Sequence, residues 1–112
     1  DRIGMRTIVV KDAPRFVSNR IMMPVVNDAA QLVEDQVATA HDVDAIFREC
    51  FAHKMGPLEL ADLIGLDTVL YSLLRLYEEL GGDRYQPCRN LVEKVESGKL
   101  GRKTGEGFFV YR

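Results

Sequence analysis

Cysteine is scarce in this chain. Its two, Cys50 and Cys88, form no C-x-x-C-type spacing, which excludes a cysteine metal site and a disulfide scaffold. They read as reduced thiols of a cytoplasmic protein, with a single disulfide as the alternative. No run approaches the roughly 18 uninterrupted apolar residues of a membrane span. The opening DRIGMRTIVV also lacks the long apolar region of a signal peptide. A charge surplus is missing too: 15 Lys and Arg stand against 17 Asp and Glu, a net −2, where a nucleic-acid binder carries a basic excess. There is no internal repeat and no low-complexity tract. What is present is 46% apolar and 29% charged residues over 112 positions. That is one soluble globular domain, large enough to bury about 65% of its unfolded surface.

The chain starts at Asp1, and its first methionine is Met5. Thr7 to Val10 (TIVV) is a β-branched run of strand type. A lone strand has nothing to pair with, so it is expected to cross to a partner chain or to belong to a sheet of a longer polypeptide. After a turn at 11–14, apolar periodicity predicts a helix from about Phe16 to Gln36. Val17, Ile21, Val25, Ala29 and Val33 fall at i, i+4 spacing, with Met22, Met23, Val26, Ala30 and Leu32 widening the face. Pro24 inside it predicts a kink. Thr39 opens a second helix, with Asp42 completing a capping-box variant, to about Phe51. Pro57 suits the first position of a third, and Gly65 its end. Asp67 is expected to cap a fourth helix that stops at Gly81-Gly82, with Val69, Leu70, Leu73, Leu74, Leu76, Tyr77 and Leu80 on its apolar side. A shorter fifth runs from about Cys88 to Ser97, with Leu91, Val92 and Val95 inward. The tail has three glycines and a β-like aromatic run, Phe108 to Tyr111. The fold class is therefore all-α: about five helices, a kinked long first one, a leftover N-terminal strand and an irregular Gly-rich tail.

Candidate chemical groups are few. His41 lies beside Asp42 and Asp44 in a helix start, the setting of a solvated side chain. His53 precedes Met55 in a loop open either to a ligand or to a plain surface role. Neither has a partner at metal-ligand spacing, so no metal site is expected. Gly98 to Thr104 has the wrong spacing and context for a phosphate loop, and Gly101, Gly105 and Gly107 form no dinucleotide fingerprint. Arg102 and Lys103 could hold a phosphate or a partner's carboxylate, or be a solvated basic turn. Asn19 sits among Phe16, Val17, Ile21 and Met22. Its amide donates and accepts at once, suiting a carbonyl or an imidazole; the alternative is a helix cap, for which Ser18 competes. Met55, Pro57 and Leu58 at a helix start either line an acyl pocket or pack in the core.

Four segments in order carry a resemblance: KDAPRFVSNRI (11–21), MGPLEL (55–60), DLIGLD (62–67) and GRKTGEGFF (101–109). Together they resemble the C-terminal helical domain of 3-hydroxyacyl-CoA dehydrogenases, the 3-hydroxybutyryl-CoA dehydrogenase-like family, over roughly Thr7 to Tyr111. The resemblance implies an N-terminal NAD-binding Rossmann domain ahead of this one. Residues 1–13 would be the end of that domain and its linker, and 14–112 the substrate-binding and dimerisation domain. It implies hydride transfer between the 3-hydroxyl carbon of an acyl-CoA and NAD, as in fatty-acid β-oxidation. The catalytic His and its orienting Glu would lie in the Rossmann domain. Asn19 would be the one catalytic residue here, hydrogen-bonding that imidazole or the substrate's 3-oxygen. Ser18 would be an adjacent substrate contact, and Met55, Pro57 and Leu58 would border the acyl chain. Cofactor-binding residues are expected to be absent from this segment. The helical domain would also form a homodimer. By itself it is predicted to be inactive.

Two departures fall near the substrate side. Arg15 replaces the usual Gly of a Pro-Gly-Phe stretch, and Cys50 to Lys54 (CFAHK) replaces a Gly- and Pro-containing approach to Met55. They leave acyl-chain length open, and with it two alternatives: a dehydrogenase for carrier-protein-bound acyl groups in polyketide precursor synthesis, and a free-standing helical interaction module. If Leu73 is core, Leu73→Ala should cost about 2–5 kcal/mol.

Overall fold

The protein is described as a computed structural model covering residues 14–111. The expected strand Thr7–Val10 lies outside the described residues. Within them are five α-helices: α1 (Pro14–Glu34), α2 (Ala40–Cys50), α3 (Pro57–Ile64), α4 (Leu66–Leu80) and α5 (Arg89–Glu96). Short 3-10 turns at Asp83–Tyr85 and Arg102–Thr104 complete the described chain. α1 packs against each of the other four, and α4 also meets α3 and α5.

Local chemistry accounts for most of the boundaries. Thr39 caps α2, its hydroxyl accepting the Asp42 N–H at 3.1 Å. Gly56 precedes α3 with Pro57 in its first turn, where the missing N–H costs nothing. Gly65, at φ 109°, ends α3 and begins α4 at once. Asp67 is therefore not the cap of α4. It lies inside the first turn, where a negative charge suits the helix dipole, and pairs with Lys103 at 2.9 Å. The N–H of Leu66 donates instead to the Leu100 carbonyl at 2.9 Å. α1 runs on through Pro24 as one helix.

The core gathers one stripe from each helix, including Met23, Val26 and Ala30 of α1, Val43, Leu58 and Ala61, Leu73 of α4, and Leu91. Two expected faces need correction. On α1, Met23, Val26, Ala29 and Ala30 of the expected face are buried, but Ile21 and Leu32 are exposed, Ile21 by 60%. With apolar residues on more than one side, periodicity does not choose the inward face; the neighbours do. On α4, Leu74, Tyr77 and Leu80 are exposed, whereas Val69, Leu73 and Leu76 are buried. The tail forms no strand among the described residues, only two isolated antiparallel bridges, Gly101 with Glu106 and Glu106 with Val110. Both cysteines are free, Cys50 exposed and Cys88 buried.

Candidate functional site

Asn19 sits in the second turn of α1. It is half-buried, next to exposed Ser18. Its amide takes no part in the side-chain hydrogen bonds among the described residues, and its place inside α1 means it is not the helix cap. The helix starts earlier, at Pro14.

The Met55–Leu58 segment divides in two. Pro57 and Leu58 are fully buried, whereas Met55 is half-buried at the turn. Asp44 of α2 explains that turn. Its carboxylate accepts the N–H groups of Leu58 (2.9 Å) and Glu59 (2.8 Å), two of the otherwise orphaned donors of α3. Burial pushes its carboxyl above the usual aspartate range, opposed by those two N–H groups. Gly56 is needed there, because a Cβ would come within 2.3 Å of the Asp44 carboxyl carbon. The segment's shape is thus a packing requirement, and only Met55 faces outward enough to meet a ligand.

Asp62 does the same for the tail. It is 1% exposed and accepts the N–H groups of Phe108 (2.9 Å) and Phe109 (3.0 Å) and the Tyr111 hydroxyl (2.7 Å). Burial, then the hydrogen bond to Asp62, pushes the Tyr111 phenol well above its ordinary value. Gly101 and Gly107 permit the close approach, since a Cβ on either would lie 2.3 Å from Asp62 atoms. Arg102 and Lys103 are no phosphate cradle. They pair with Glu59 (3.2 Å) and Asp67 (2.9 Å) of this same chain.

The other end of α1 is tied by Asn27 and Glu34. Asn27 donates to the Gln86 carbonyl and accepts the Cys88 N–H, both at 2.7 Å. Glu34 accepts the Asn90 N–H (2.9 Å) and the Cys88 thiol (3.3 Å) and pairs with Arg89 (2.9 Å). Those thiol and backbone donors hold its carboxyl below the usual glutamate value. Burial pushes the Cys88 thiol up to about 11. Sequence reading passed over Asn27, Glu34, Asp44 and Asp62 as structural keys. The available signal was a polar residue falling on the buried side of an amphipathic helix.

The two histidines part. His41 lines an open cleft of about 210 Å³ with Asp44, Arg48, Glu59, Phe109 and Tyr111. His53 packs its ring at a tilt against Phe47, centroids 5.5 Å apart. Among the described residues no three His, Cys, Asp or Glu side chains assemble as a metal site.

Comparison with known proteins adds an independent line. The family model for the 3-hydroxyacyl-CoA dehydrogenase C-terminal domain matches residues 16–111. A probable 3-hydroxybutyryl-CoA dehydrogenase of Deinococcus radiodurans is 46% identical over 99% of this chain and 40% of its own length. The 3-hydroxybutyryl-CoA dehydrogenase of Bradyrhizobium diazoefficiens is 44% identical over 99% of this chain and 38% of its own. Among solved structures, the (S)-3-hydroxybutyryl-CoA dehydrogenase of Ralstonia eutropha superposes with a TM-score of 0.88 at 42% identity, covering 94% of this chain and 37% of that one. The chain therefore spans about two fifths of the length of these relatives.

Proposed function

The chain belongs to the 3-hydroxyacyl-CoA dehydrogenase C-terminal-domain family, and on that footing we propose that it is the substrate and assembly domain of a dehydrogenase interconverting 3-hydroxyacyl-CoA and 3-oxoacyl-CoA. The observation that carries this is Asn19, half-buried near the start of α1 and outside the side-chain hydrogen bonds among the described residues. Its N–H groups can donate to the substrate's C3 oxygen, and its carbonyl can accept from an imidazolium or hydroxyl. Held on a helix, it fixes the oxygen's position while charge shifts at C3. Ser18 flanks it as a second polar contact. Met55 borders the acyl chain, with Pro57 and Leu58 fixing its turn from the core.

The described glycines do not fit a dinucleotide. Gly101 and Gly107 close on Asp62, and none opens a strand–turn–helix. NAD, which accepts the hydride, would be held by an N-terminal domain, with residues 1–13 as the junction to residues 14–112. This domain acts on the acyl group. We further place the enzyme in the cytoplasm as a homodimer. Tyr71, Leu74 and Tyr77 leave an exposed apolar stripe on α4 beside its buried one, suited to a second copy. No described helix is long and apolar enough to cross a membrane.

The test uses the full native polypeptide, following NADH absorbance with acetoacetyl-CoA. Wild type should turn over, and Asn19→Ala should lose about 10²–10³-fold in kcat, the usual effect of removing one oxyanion donor. An inactive wild type, or an Asn19→Ala enzyme as fast as wild type, overturns the reading.

A further inference from the structure

Pro24 stands at the midpoint of α1, buried, with helix on both sides of it. A proline there weakens the helix. It supplies no N–H to the Arg20 carbonyl four residues back, and its ring crowds that carbonyl. Ordinary residues would make α1 firmer.

The two halves that Pro24 separates are held differently. After it, Val26 and Ala30 are fully buried and Ala29 nearly so. Asn27 bonds the Gln86 carbonyl and the Cys88 N–H. The Asn90 side chain donates to the Ala30 carbonyl at 3.0 Å, and Glu34 pairs with Arg89. This half is a base fixed to α5 and to the loop before it. Ahead of Pro24, among residues 18–23, only Met23 is buried. Asn19 and Met22 are half-buried, and Ser18, Arg20 and Ile21 are exposed. The missing rung joins the two: the Arg20 carbonyl belongs to the turn that carries Asn19, and Pro24 borders the base.

The lever is short but sufficient. Asn19 precedes Pro24 by a little over one turn, about 7.5 Å along the axis. Through an angle of about 20°, the size of a helical proline bend, it swings about 2–3 Å. A misplacement of about 1 Å costs about 10²-fold in rate.

We propose that Pro24 is a positioning residue: it sets the direction of the leading half of α1, and so the place of the Asn19 amide, against the base formed by residues 25–34. The proposal rests on Asn19 meeting the substrate's C3 oxygen. It explains why a helix-weakening residue stands in the middle of the longest helix.

The experiment uses the full native polypeptide with NADH and acetoacetyl-CoA. It compares Pro24→Ala and Pro24→Val, each alone and combined with Asn19→Ala. Both substitutions restore an N–H to position 24, and valine also keeps most of the ring's volume. Each should lower kcat by about 10–100-fold, with KM within about three-fold and a melting midpoint no lower than wild type. Combined with Asn19→Ala, neither should add more than about two-fold, because both act through one amide. A wild-type kcat in Pro24→Ala overturns the proposal. So does a wild-type kcat in Pro24→Val, which would make the ring's volume the cause. Losses that multiply with that of Asn19→Ala, or a midpoint lowered in both variants, overturn it as well. In all these cases the loss in Asn19→Ala alone keeps the dehydrogenase reading standing. An Asn19→Ala enzyme as fast as wild type removes both.

Discussion

Asp62 and Asn19 are both polar side chains among apolar neighbours on helices, yet they are treated oppositely. Asp62 is fully enclosed and takes three donors from the tail, and the glycines around it exist to let that happen. Asn19 is half-buried, and its amide is left unengaged by the described side chains. The same contrast runs through the apolar groups: Leu58 and Leu73 vanish into the core while Phe51 is held out on a strained turn. A saturated polar group stabilises its own chain. One left open is available to a ligand. In this domain the α3–tail region is internal architecture, and Asn19 is the side chain proposed for the substrate.

That contrast can be broken by substitution. Asp62→Ala should have the largest effect on stability, about 3–5 kcal/mol, because it strands two half-buried N–H groups and a hydroxyl and leaves a void where the carboxylate was enclosed. Urea unfolding of the helical domain would measure it, and a midpoint shift equivalent to less than about 1 kcal/mol would show that the tail is not latched as described. Leu73→Ala should follow at about 2–5 kcal/mol, its side chain being fully buried. Asn19→Ala should change stability by no more than about 0.5 kcal/mol, as expected for a side chain outside the hydrogen-bond networks among the described residues. A large destabilisation would move Asn19 to the structural side of the comparison.

The smallest effect is a pH dependence at Glu34. Its carboxyl lies below the ordinary glutamate value in the folded protein, chiefly through the Cys88 thiol and the Asn90 N–H. The folded state therefore binds that proton less readily than the unfolded one. The stabilisation is complete above the ordinary glutamate pKa and is lost as pH falls through the folded value. Glu34→Gln should flatten the acid limb of the stability profile, and an unchanged limb would assign acid sensitivity to other carboxylates.

Much of this was legible in the residues. Thr39, Pro57, Gly65 and Gly81 mark helix ends because caps and breakers act over a few neighbouring residues. Four ordered segments were enough to identify the family, which the match over residues 16–111 bears out. Other features were not legible. The exposure of Ile21 and Leu32 on an otherwise correctly read α1 face and the true start of α4 depend on contacts from distant segments: other helices for the first, Leu100 and Lys103 for the second. Asn27, Asp44 and Asp62 looked like ordinary polar residues until partners 14 to 61 positions away came within hydrogen-bond distance.

The sequence by itself determined that this is a small all-α domain, where most helices begin and end, and which family it joins, because those properties rest on local periodicity and short motifs. Only the tertiary structure decided which polar groups are consumed internally, which basic residues are already paired, and that Phe51 stands exposed. Those outcomes depend on long-range contacts, whose geometry exists only once the helices have packed.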